Sequence, residues 1–127
     1  MSMAYDLFLA QVIDRGIESV KADEHMKPKS IEGSIRGFEA CRGKTPEQLR
    51  ALHEQTQKDG MSAYWKANQK DADIEDYWAD RYYAIQIEWV CNCVSAALVS
   101  QGVEPIVPPT YRGMMLASRI LGVAAAD

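Results

Sequence analysis

Positive charge is in short supply in this sequence. Its 14 Lys and Arg are outnumbered by 18 Asp and Glu, a formal net charge of −4. That balance lacks the basic footprint that binding to nucleic acid phosphates requires. Cysteine is scarce too: Cys41, Cys91 and Cys93 are odd in number and show no disulfide-framework spacing, which suits a reducing cytoplasm. No long apolar run is present. The greasiest stretch, Trp89 to Val99, is 11 residues long and contains Asn92, against the roughly 20 residues of a bilayer span. The start has no basic region, and the apolar residues after it are interrupted by Gln11 and Asp14, unlike a secretory leader. There is no internal repeat, no low-complexity tract and no alternating pattern of the kind that marks strands.

What is present is the composition of one globular domain. The 127 residues are 47% hydrophobic and 25% charged, and a chain of this length has room for a single core, residues 1–127 together. Charge is unevenly spread. Residues 1–70 carry 11 basic and 10 acidic side chains, whereas residues 71–127 carry 3 and 8.

Helical periodicity dominates. Met3, Leu7, Ala10, Ile13, Ile17 and Val20 step by three and four, so a first helix is expected from Ser2 to about His25. Phe8, Leu9 and Val12 widen its apolar face, as burial on several sides or against a second subunit would require. Lys27-Pro28-Lys29 is expected to stop it. Ser30 then caps a second helix to about Arg42, closed by Gly43. Gly33 and Gly37 inside that helix cost ~1 kcal/mol each relative to alanine, which points to a smooth groove crossed closely by another helix. Thr45-Pro46-Glu47-Gln48 combines an N-cap threonine, a first-position proline and a capping-box glutamine. The helix it opens runs to about Gln69, as one bent helix or as two broken at Gly60.

The segment 73–101 reads as one long central helix ending at Gly102. Trp78, Tyr82, Ile85, Trp89, Cys93 and Ala96 fall on one side of it, and Tyr83, Ile87, Val90, Val94 and Leu98 on the other. A helix apolar on both flanks sits inside a bundle. Residues 103–109 hold three prolines and should form an extended strap, before a last helix from Thr110 to about Val123. The fold expected is all-α: a compact bundle of five to six helices around the 73–101 rod.

Chemical motifs fail on their details. Gly43-Lys44-Thr45 resembles the end of a phosphate-binding loop, but that loop needs glycine where Phe38 stands, and it follows a strand. Cys91 and Cys93 diverge by ~200° on a helix and cannot share one tetrahedral metal. His53-Glu54 is followed by Gln57 where a zinc-peptidase helix needs histidine. No cofactor is implied, and no nucleophile, base and orienting group can be matched.

Two candidate sites remain, both on the central helix. Asp73, Asp76 and Asp80 share a face at its start, within a 71–80 segment of five acids. They suit a basic protein surface, or Mg²⁺ held through water. Tyr77, Arg81, Glu88, Asn92 and Ser95 form a polar stripe within about 60° of one another, which lines a cleft or simply faces solvent. Tyr64-Trp65 and Tyr77-Trp78 add aromatic side chains of the kind enriched at interfaces. The function expected is that of a non-catalytic interaction or regulatory protein, a two-fold homodimer, binding a protein partner as an inhibitor would through the acidic segment. The alternative is a binder of a nucleotide or other small anion, or a metal-dependent hydrolase, using the same residues.

Overall fold

The computed structural model describes residues 3–67, 74–108, 113, 115, 116 and 119, the side chains of 3, 4 and 59–67 excepted. It contains four α-helices: α1 (Met3–Lys21), α2 (Pro28–Ala40), α3 (Pro46–Ala67) and α4 (Ile74–Ser100). There is no strand among the described residues. The described residues are therefore all-helical, with four helices among them, and the expected five to six are not confirmed. Pro46–Ala67 is a single helix that runs through Gly60. Of the expected last helix, residues 113, 115, 116 and 119 are helical, and its extent lies outside the described residues.

Most helix ends follow local chemistry. The Thr45 N–H donates to Gln48 Oε1 at 2.9 Å, and the Gln48 N–H donates to Thr45 Oγ1 at 3.2 Å. This reciprocal box satisfies two donors that a helix start would otherwise leave open. At the far end of α4, Gly102 takes φ of 73°. Its N–H donates to Val99 O at 3.0 Å, and the Val103 N–H donates to Leu98 O at 2.9 Å, the paired bonds of a Schellman turn.

The junction of α1 and α2 differs from expectation. α1 stops at Lys21 rather than His25, because Asp23 Oδ1 takes the N–H groups of His25 and Met26 at 2.7 and 3.2 Å. A short side chain bonding its own neighbours in this way offers the backbone an alternative to helix. Pro28 does not end a helix but begins one, at a first-turn position where its missing N–H costs nothing. Ser30, expected as the cap, lies inside α2 and is buried.

Every other helix packs on α4. α2 runs parallel to it: Lys29 meets Asp76, Gly33 meets Ala79, Gly37 meets Tyr83 and Phe38 meets Trp89. A Cβ on Gly33 would stand 2.1 Å from Ala79 O, and one on Gly37 would stand 2.5 Å from Tyr83 O. The two glycines thus let backbone touch backbone. α1 lies antiparallel to α2, with Gly16 against the Phe38 ring and Asp14 ion-paired to Arg42 at 2.7 Å.

The buried apolar residues make one cluster, drawn from Tyr5, Val12 and Ile13 of α1, Phe38 of α2, Leu49 of α3 and a long run of α4. From Ile87 to Leu98, α4 is buried on almost all sides. Its first half is not: Ile74 is 55% exposed and Trp78 is 45% exposed. The expectation of two covered flanks therefore holds only for the second half. The strap after α4 is pinned by Ser95, whose buried Oγ accepts the N–H groups of Ile106 and Val107 at 3.0 and 3.1 Å. Arg50 of α3 donates to Ile106 O at 3.1 Å, and Ile106 is buried. No helix among the described residues is long and apolar enough to cross a membrane.

Candidate functional site

The acidic face of α4 is turned largely toward α2. Asp76 accepts from Lys29 Nζ at 2.5 Å, and Asp80 accepts from Arg36 at 2.9 Å. The Arg36 guanidinium also lies 4.9 Å above the Tyr83 ring, a cation–π contact. The pairs are roughly half exposed, so each adds little stability. Their effect is to neutralise two of the acids expected to meet a partner or a metal. Asp73 lies outside the described residues. Among the described residues no three His, Cys, Asp or Glu side chains gather where a metal ion would sit.

The residues of the polar stripe lie in different surroundings. Arg81 and Glu88 are exposed, and Tyr77 is half-buried. Asn92 donates not to the Glu88 carboxylate but to its backbone oxygen, at 2.9 Å. Ser95 is buried and holds the strap.

The phosphate-loop resemblance ends in the same way. Gly43, at φ of 72°, turns the chain out of α2, Lys44 O accepts from the buried Tyr5 hydroxyl at 2.7 Å, and Thr45 caps α3. The three thiols are free and buried. Burial pushes each up to about 12, with Cys41 adding to the effect on Cys91. A thiol so protonated is a poor nucleophile and a poor metal ligand.

Two surface features stand out. The first is aromatic. Trp78 stands edge-on to Tyr77 with ring centroids 5.3 Å apart, and the Tyr82 ring lies 6.2 Å from it, tilted by 44°. Ile74, one turn earlier, extends the apolar patch. Glu75, Asp76, Asp80 and Arg81 are the exposed charges around it. The side chains of Tyr64 and Trp65, the other aromatic pair singled out, lie outside the described residues.

The second feature is a groove of about 660 Å³ between the second half of α1, α2, the middle of α4 and residues 116 and 119. Phe38 and Trp89 meet edge to face in its wall, 5.6 Å apart at 87°. Gly16 makes room for the Phe38 ring, since any Cβ there would stand 2.3 Å from it. Sequence reasoning missed this groove. Its residues come from four separate segments, and Val20 and Trp89 were read only as members of apolar helix faces.

No family model, curated protein or solved structure matches the chain.

Proposed function

We propose that this chain is a non-catalytic binding protein that engages another protein through the aromatic patch at the start of α4. The observation that carries the reading is Trp78, 45% exposed on the same helix as the still more open Ile74 and in ring contact with Tyr77 and Tyr82. Tryptophan and tyrosine dominate the energetic centres of interfaces, ringed by polar groups that exclude water. An indole already held by its neighbours loses little freedom on binding. Glu75, Asp76 and Asp80 provide an acidic rim, so the fitting partner offers an apolar spot surrounded by basic side chains. Asp76 and Asp80 keep their α2 partners, so the pull on that partner is weaker than five free acids would exert. Three free thiols accord with a reducing, cytoplasmic setting.

The test is parallel affinity purification from the native host with the wild-type chain and with Trp78→Ala, read by mass spectrometry. A partner retained by the wild type should bind the variant about thirty-fold more weakly, the effect of losing a hot spot of about 2 kcal/mol. Equal retention by both baits contradicts the reading. Sedimentation of the pure protein tells a second copy of the chain from a foreign partner.

A further inference from the structure

On the reading that Trp78 docks a protein, we infer that the protein docked is a second copy of this chain, the two α4 helices packing antiparallel about a two-fold axis. Trp78, Tyr82, Ile85 and Trp89 step by four, three and four along α4, the spacing with which one helix beds on another. At about 100° per residue they fall within about 60° of one another. None of the four is fully buried, and Trp78 is 45% exposed. Ile87, Val90 and Val94, on the far side of the same helix, are completely buried. The seam is thus separate from the face that builds the core.

The order of residues along the seam complements its own reverse. A two-fold axis between Tyr83 and Ala84 sets Trp78 opposite Trp89 of the second copy, and Tyr82 opposite its Ile85. The same axis sets Arg81 opposite Glu88, and Glu88 opposite Arg81, at the flanking positions where opposite charges choose partner and orientation. Arg81 and Glu88 are exposed, and neither side chain makes an ion pair or hydrogen bond among the described residues. Further out, Glu75 meets Asn92, polar against polar. A parallel pairing would set Arg81 against Gln86 and forfeit both charge pairs.

The groove at Trp89 gives the incoming indole room. It holds about 660 Å³ and is lined by Gln86, Trp89 and Leu116. Its rim mixes Arg15 and Arg119 with Glu18 and Asp23, so neither sign of charge is selected there, and an aromatic side chain with an N–H suits it. Each copy offers one indole and one groove, so every contact is made twice, as a two-fold interface requires.

Sedimentation equilibrium of the pure full chain over a concentration series should show a reversible monomer–dimer equilibrium. Arg81→Glu and Glu88→Arg each set like charges opposite one another twice, and each should raise the dimer Kd about tenfold. Mixing the two variants should restore wild-type affinity, because the heterodimer again sets acid opposite base at both places. Trp78→Ala should leave a monomer. A chain that is monomeric at every concentration, charge variants that pair as tightly as wild type, a mixture no tighter than its components, or dimers that survive Trp78→Ala overturns the inference. A monomeric chain that still loses a foreign partner in Trp78→Ala refutes the second copy and leaves Trp78 as a docking residue; association that never depends on Trp78 refutes both. Circular dichroism confirms that each variant is folded.

Discussion

Cys41, Cys91 and Cys93 show how position sets the chemistry of a residue. On the surface, thiols are reactive; here burial holds all three protonated, up to about 12. The consequence for stability has a definite sign. Above the ordinary thiol range, near pH 9, the unfolded chain loses these protons while the folded chain keeps them. The folded state then binds more protons, and stability falls as pH rises. The contribution is intact below about pH 9 and is lost on the way to about 12. The size is on the order of 1 kcal/mol per thiol for each pH unit. Urea unfolding followed from pH 8 to pH 10.5 should give a midpoint that drops above pH 9, less steeply in Cys41→Ala. A flat midpoint would mean that the thiols are less enclosed than the structure has them. Ser95 is a second case of position overriding type: in the sequence it is one polar residue of a stripe, whereas in the fold its one oxygen anchors two strap amides.

At the scale of elements, the pairing of α2 with α4 depends on two missing side chains. Gly33→Ala would gain ~1 kcal/mol of helix propensity, but it would drive a methyl group to 2.1 Å from Ala79 O. Backbone cannot rotate away as a side chain can. The helices must separate, and overpacking of this kind costs roughly 1–3 kcal/mol, sometimes more. The variant should be less stable in chemical denaturation, despite its better helix former. A stability equal to or above wild type would show that the crossing is looser than described.

How far these elements were legible in the sequence depended on the range of the interaction. Signals spanning three or four residues read correctly: Thr45 with Gln48, Gly102 after its helix, and the extent of α4 to within a residue at each end. The glycines at 33 and 37 announced a close crossing because their helical cost needed a reason. Pro28 was misread because proline suits both the end and the start of a helix, and the deciding factor, Asp23 closing the preceding turn, is a side-chain choice. The groove was invisible. Nothing local connects Arg15, Phe38, Gln86 and Arg119 before the chain folds.

For the whole molecule, α4 plays two roles along its length. Its second half, from Ile87 to Leu98, is the axis on which the core is built, enclosed by α1, α2, α3 and the strap. Its first half leaves α2's cover on one side and presents Trp78 and Ile74 to solvent. Burial of the one end supports exposure at the other, because a rod clamped over three turns holds its free end in place. The ion pairs of Lys29 and Arg36 fix the angle of that end without covering it.

Hydrogen exchange along α4, measured by mass spectrometry on the chain alone and then with its captured partner, tests this division most directly. Amides from 87 to 98 should exchange slowest in both states, at the rate of global unfolding, while 74 to 82 should exchange faster in the free chain and slow markedly in the complex. Exchange that is equally slow at both ends of the free helix, or a partner that protects some other segment and leaves 74 to 82 unchanged, would contradict it.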